Sequence, residues 1–360
     1  MPGKPAGSVA YRVAGSQGRW VFRGNFIMIT TRRLSRVFAV ALATTAIPAI
    51  AAPCGSGVTF GAQFAGLYSC ATLGTPATVP ANLGGLTFLN ANTLLVGGAA
   101  NGGSGAIYSI GVSRDSGGHI NGYSGASSLF ATAPNIDGGL AFGPSGVLFA
   151  TTYSDNMLLQ YLPGSTGPDR AINLSSIGIT ASTGTLQFVP TGFGGAGSFK
   201  ITSYSAGGFY DVGLIADGST GLFNLGPATL TAQVGRGPEG IAYVGGNNAG
   251  FGVNSLLLSE YSTNSIGSYT VDASGNPLVS SRVDFLTGLG GAEGAIIDPV
   301  TGDFLFSTYG GGNQIVVISG FDAPMMPGVP EPASWALMVG GFGLMGGAIR
   351  RRQRVNVTFA

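Results

Sequence analysis

Charged side chains are scarce in this chain: they make up 9% of its 360 residues, alongside one histidine, two cysteines and two tryptophans. A lone His119 with no suitably spaced cysteines cannot build a zinc site. It stands in Ser116-Gly117-Gly118-His119 and reads as a surface loop residue. Serines and aspartates are scattered without a nucleophile elbow, so no Ser-His-Asp triad is legible. Gly245-Gly246 and Gly310-Gly311-Gly312 lack the lysine of a phosphate-binding loop. Basic residues are rare between 53 and 329, where five stand against fourteen acids. A region nine charges negative offers no basic footprint, which excludes nucleic acid as partner. That balance suits solubility of an exported protein, or cation binding.

Glycine is abundant instead, at 64 residues, and 44% of the chain is hydrophobic. The apolar content excludes disorder driven by charge. No Gly-X-Y period runs through the sequence, which excludes a collagen. So much glycine disfavours long helices, where each costs about 1 kcal/mol relative to alanine. It suits short strands joined by tight turns.

The ends carry addressing signals. Arg32, Arg33 and Arg36 precede the apolar run Val37–Ile47 and then Pro48-Ala49-Ile50-Ala51-Ala52. A basic stretch, a short apolar core and small residues at Ala49 and Ala51 predict a secretory signal cut after Ala51 by signal peptidase. The run is shorter than the roughly 20 residues of a comfortable span, against the alternative of a retained helix. Met28 gives the signal an ordinary length over 28–51, which makes residues 1–27 an over-extended start.

At the other end, a Pro-rich linker at 324–332 leads into the apolar stretch 333–349 and the basic tail 350–360. The stretch predicts one C-terminal transmembrane helix, with Trp335 at the interface and the arginines on the cytoplasmic side. Pro330-Glu331-Pro332, Trp335, the Gly-rich apolar stretch and Arg350-Arg351-Arg352 closely resemble the PEP-CTERM sorting signal of exopolysaccharide-producing Gram-negative bacteria. That resemblance implies transient anchoring in the inner membrane and cleavage near Pro330–Pro332 by an exosortase. It also implies delivery to the cell surface or outside, with extracellular polysaccharide as a partner. Residues 353–360 trail past the arginines, which departs from the usual pattern and leaves a plain tail anchor as the alternative.

Between the ends, residues 52–323 form the predicted ectodomain. Repeat starts occur at Gly85-Leu86-Thr87-Phe88, Gly139-Leu140-Ala141-Phe142, Thr185-Leu186-Gln187-Phe188, Gly240-Ile241-Ala242-Tyr243 and Gly294-Ala295-Ile296-Ile297. A second apolar strand follows each, at 94–96, 147–150, 199–202, 256–259 and 304–307. Third strands are expected at 107–110, 157–161, 209–212, 266–271 and 315–318. Three- to four-stranded repeats of this length predict an all-β propeller of five blades, alternatively six; a β-sandwich or β-helix is the other architecture. Residues 58–84, with strand-like 66–70 and 78–80, supply the length missing from the last repeat, so the N-terminal segment is expected to close the ring. The repeat starts weakly resemble those of NHL- and SMP-30-like propellers.

Cys54 and Cys70 both follow the signal and meet an oxidising compartment, so a disulfide is expected, against the alternative of two buried thiols. Asp137, Glu239 and Glu293 stand just ahead of repeat strands. In a propeller such positions converge near the axis, where carboxylates repel one another unless a hard cation such as Ca²⁺ bridges them. Asn156, Asn264 and Asn313 recur before the third strand. The SMP-30-like resemblance implies Glu, Asn and Asp around a divalent metal; turn chemistry is the plainer reading of these residues. The leading expectation is a noncatalytic surface or matrix protein with a binding or structural module, requiring no cofactor. The alternative is a secreted metal-dependent hydrolase or lactonase on the same scaffold.

Overall fold

The five repeats become five antiparallel sheets in the computed structural model, which describes residues 52–55 and 57–323. Each sheet is one blade of a propeller. Blade 1 runs Leu86–Asn90, Thr93–Gly98, Ala106–Arg114 and Ile120–Thr132. Blade 2 runs Ile136–Phe142, Leu148–Thr152, Met157–Tyr161 and Arg170–Asn173. Blade 3 runs Thr183–Phe188, Phe199–Ser203, Gly208–Asp217 and Leu222–Gln233. Blade 4 runs Pro238–Val244, Ser255–Glu260, Ser265–Thr270 and Val283–Thr287. Blade 5 runs Ala292–Ile297, Phe304–Thr308 and Ile315–Ser319, and takes Ser69–Gly74 from the N-terminal segment as its next strand.

That borrowed strand closes the ring. Ile318 pairs with Cys70 and Val316 with Thr72, so the last blade gains an outer strand and loses an exposed edge. The Cys54–Cys70 disulfide, with Cα atoms 5.4 Å apart, ties Ala52–Pro53 to the same strand. Thr59–Phe60 pairs with Val283–Thr287 and covers the rim of blade 4. The closing strand lies a few residues later than 66–70, and 78–80 is a turn, with Thr78 at φ 67°. The outer strands of blades 1 to 4 escaped the sequence reading. Segments such as Leu222–Gln233 are largely exposed and mix apolar with polar residues, so they carry no clean apolar period.

No single core sits at the hub. Five apolar clusters lie between neighbouring blades, one for each step around the ring. Strand alternation makes this possible, since successive side chains point to opposite faces. Leu94 and Val96 pack toward blade 5, while Leu95 packs toward blade 2. Phe304 and Phe306 pack toward blade 4, while Leu305 packs toward blade 1. Both faces of the second strands are therefore buried, and their sequences read as unbroken apolar runs. The signal segment, the sorting residues Pro330, Glu331, Pro332, Trp335 and Arg350–Arg352, and the expected C-terminal helix all lie outside the described residues. Among the described residues no helix is long and apolar enough to cross a membrane.

Candidate functional site

The innermost strands open with irregular backbone. Register slips between Ile136 and Leu140, between Pro238 and Gly240, and between Ala292 and Ala295. Such bulges re-aim side chains near functional sites. Asp137, Glu239 and Glu293 sit in these slips, within the strands and not ahead of them. Close approach of the strands brings them together. A Cβ at Gly138 would lie 2.0 Å from the Glu239 carbonyl oxygen, and one at Gly240 would lie 2.3 Å from that of Glu293, so only glycine fits at either place.

Each of the three acids contributes one carboxylate oxygen to a group whose members lie within 4.8 Å of one another. Their exposures are 1%, 3% and 2%. Neither oxygen of Asp137 takes part in a well-formed hydrogen bond, although the Gly138 N–H, the Asn101 side chain and the Glu293 carboxyl lie close to it, and Oε2 of Glu239 has no partner. Burial pushes the Asp137 carboxyl up to about 8. Burial, then the charges of Asp137 and Glu293, hold Glu239 well above the usual carboxylate range. Burial, then Asp137, do the same to Glu293.

No protein cation reaches them. Each of the five basic side chains of the described region is engaged elsewhere. Arg114 ties blade 1 to blade 5 through Asp298, at 2.6 Å. Arg170 ties blade 2 to blade 3 through Asp217, at 2.7 Å. Lys200 spans Asp211, at 2.9 Å, and Asn276 of blade 4, at 2.7 Å. Arg236 and Arg282 both turn to Glu260, at 3.8 and 2.5 Å.

The recurring asparagines follow the plainer reading, turn chemistry. Asn156, Asn264 and Asn313 adopt φ of 56°, 53° and 48°, the left-handed turn geometry that asparagine tolerates. Their side chains stitch each blade to the next. Asn156 accepts from Thr183, Asn264 accepts from the Gly291 N–H, and Asn313 accepts from the Asn82 N–H at 2.6 Å. His119 stands in a loop and is part-exposed, and it also has a partner. Its Nδ1 lies 2.7 Å from Oδ2 of fully buried Asp303, which joins blade 1 to blade 5 and raises the imidazole above its ordinary pKa.

Four tyrosines at the same mouth were missed by sequence reasoning. Tyr153, Tyr204, Tyr261 and Tyr309 each lie three residues beyond the equivalent ladder positions Ala150, Ile201, Leu258 and Phe306. Their ring centroids are 6.2, 5.9 and 6.3 Å apart in sequence order. The signal was present as Thr-Thr-Tyr, Thr-Ser-Tyr, Ser-Glu-Tyr and Ser-Thr-Tyr at the ends of the second strands. The leading hydroxyls explain part of it. Thr151 donates to the Gly184 carbonyl at 2.7 Å, Thr202 to Pro238 at 2.9 Å and Ser307 to Gly84 at 2.6 Å, each crossing to the next blade. Ser259 Oγ, the corresponding group of blade 4, is buried without a partner.

A cavity of about 560 Å³ lies at the far ends of the innermost strands, lined by Phe188, Phe193, Tyr243, Ile296 and Phe321 among others. Its amides Asn247 and Asn248 are already bonded to protein groups. It is apolar where the near mouth is acidic, and it holds none of the orphaned oxygens.

Residues 328–352 match the family described as the PEP-CTERM protein-sorting motif. No curated protein matches the sequence. Solved structures are similar in outline. The PQQ domain of pyranose dehydrogenase from Coprinopsis cinerea is 12% identical, over 73% of this chain and 97% of that one, with a TM-score of 0.40. A gluconolactonase from Xanthomonas campestris is 13% identical, over 76% and 98%, with a TM-score of 0.42. Likeness at this level carries no argument about activity.

Proposed function

We propose that this chain, with its PEP-CTERM protein-sorting motif at 328–352, is exported and sorted to the cell surface or extracellular matrix. In this reading 28–51 is the signal peptide, and 333–349 anchors the precursor in the inner membrane with 350–360 on the cytoplasmic side. An exosortase-type enzyme cuts near Pro330–Pro332, and extracellular polysaccharide is the surrounding partner. The propeller is a noncatalytic binding or structural module organised around a hard divalent cation, for which Ca²⁺ is suited, held by Asp137, Glu239 and Glu293.

One observation carries the cation: three carboxylates are buried together, with orphaned oxygens and every local basic side chain engaged elsewhere. Buried charge needs pairing or a metal. The donors are all oxygen, which suits a hard cation taking roughly 6–8 oxygen ligands. Thermal melts of the full chain with Ca²⁺ and with EDTA test this, together with Glu239→Gln and Glu293→Gln. Calcium should raise the melting temperature of the wild type and leave both variants unmoved. An equal shift in all three would move the site elsewhere, and no shift would remove it.

A second reading, a metal-dependent hydrolase, draws on Asp137. A carboxyl pushed up to about 8 has the character of a proton-transfer group. Turnover of lactones or esters by the Ca²⁺-loaded protein, lost in Asp137→Asn, would favour it over the noncatalytic module.

A further inference from the structure

The axial carboxylates lie under a roof. We propose that Tyr153, Tyr204, Tyr261 and Tyr309 gate the axial cation site, and that the step at Ala99–Asn101, where blade 1 has no tyrosine, is the port for a small hydrated cation. The proposal rests on the cation reading above and adds how the ion reaches its site.

The collar is built by register. Blade 1 reads Gly97-Gly98-Ala99 where the other blades end in tyrosine, and Val96 pairs with Leu86 as Ala150 pairs with Leu140. Ala99 is therefore the counterpart of Tyr153. Neighbouring rings meet edge to face, with interplanar angles of 78°, 78° and 65°. That geometry closes rings against one another rather than offering a flat face to a guest.

Two of the rings lean over the start of the next blade. Tyr204 lies over Gly237, where an added Cβ would meet its ring at 2.6 Å. Tyr261 lies over Gly291 in the same way, at 3.0 Å. These glycines stand two residues before Glu239 and Glu293, so the rings cover the backbone that presents those acids. Tyr309 packs against the cluster of Ala100 and Ile136, beside Asp137.

The step from blade 1 to blade 2 differs. Ala99 contributes a methyl group where a ring would lie. Asn101 donates its backbone N–H to the Ile136 carbonyl, at 2.9 Å, and its buried side-chain oxygen has no partner. The Asn101 side chain lies against Asp137, so an amide stands at this step where the rest of the collar carries aromatic carbon. A hard cation shedding water is favoured along oxygens and not between close-set rings.

Terbium binding to the full chain tests the gate, because Tb³⁺ seeks the same hard oxygens as Ca²⁺ and emits when tyrosines near it are excited. Sensitised emission should appear on binding to the wild type. In stopped flow, Tyr204→Ala and Tyr261→Ala should bind and release Tb³⁺ severalfold faster, with affinity little changed. Tyr204→Phe keeps the ring and should keep the wild-type rates. Ala99→Tyr puts a ring at the port from a left-handed backbone position, φ 50°, so its melt is read first; where it folds it should slow both rates severalfold. Melts of each variant establish that it is folded. If an alanine variant fails to fold, Tyr204→Leu and Tyr261→Leu decide in its place: wild-type rates in both overturn the gate. Tight Tb³⁺ binding without tyrosine-sensitised emission also overturns it, and leaves the cation site standing. Absence of Tb³⁺ binding to the wild type removes both.

Discussion

Glu260 and the axial acids are equally buried but oppositely treated. Glu260 accepts from Arg282 at 2.7 and 2.5 Å, from Tyr269 Oη at 2.6 Å and from Ser265 Oγ at 2.8 Å. Its hydrogen bonds to Arg282 raise the guanidinium further above its ordinary pKa, and burial does the same to the Tyr269 hydroxyl. Both Glu260 and Glu239 belong to blade 4, where they stand on adjacent strands. This fold can supply a buried carboxylate with a full set of donors. At the axis no basic side chain stands against the three converging carboxylates, and three of their six oxygens are buried without a well-formed hydrogen bond. The contrast is what motivates the proposal of a cation at the axis.

The largest effect should come from breaking the satisfied site. Arg282→Ala leaves Glu260 buried and unpaired, a class of change that costs about 3–5 kcal/mol. Urea unfolding should show that loss. At the axis the same kind of test gives no such loss: without divalent metal, burial already favours the neutral Glu239 carboxyl, and Glu239→Gln, an amide of the same shape, should be neutral or stabilising. Destabilisation of both variants to the same degree would erase the distinction.

Next is the ring closure that holds both sites in place. Reducing Cys54–Cys70 should cost roughly 3 kcal/mol in the chain-entropy account. Melts with and without reductant measure it, and an unchanged melt would mean that the strand pairing at Ser69–Gly74 suffices alone.

Calcium should follow closely in size. Ligand at a hundredfold excess over Kd stabilises by about 2.7 kcal/mol. For a domain of this size that is a rise of roughly 2–4 °C per kcal/mol. The rise should vanish in Glu293→Gln and persist in Arg282→Lys if the latter folds.

pH gives the subtlest separation. The axial acids bind protons more tightly when folded than when unfolded. Their contribution is full below the unfolded carboxyl pKa, near 4, and is lost as pH rises through the folded values, about 8 for Asp137. In EDTA the melting temperature should therefore fall from pH 5 toward pH 9. His119 acts in the same direction from its own ordinary pKa upward, so His119→Asn serves as the control. Calcium displaces those protons, so its affinity should rise over the same range.

Much of the blade plan was legible because inter-blade packing buries both faces of the second strand. Segments such as Leu94–Val96 and Phe304–Ser307 then show as apolar runs. Ring closure was legible as a shortage of chain in the last repeat, although only the structure places the strand at Ser69–Gly74. The outer strands were not legible, since one face of segments like Leu222–Gln233 meets solvent and carries mixed residues. The three acids stood out by their shared place just ahead of the repeat starts. Their bulges did not, because register slips arise only when strands pair. The tyrosines were visible in sequence but ambiguous, since tyrosine is an ordinary strand residue. Only the fivefold geometry makes them a collar.

Metal content of the exported protein, by native mass spectrometry of the intact chain, tests the central claim most directly. The account predicts one divalent cation per chain, retained in the wild type and absent from the Glu239→Gln, Glu293→Gln double variant. A wild-type chain that stays metal-free after equilibration with millimolar Ca²⁺ at pH 8 would contradict it, and would leave the axial carboxylates as a proton-sharing cluster.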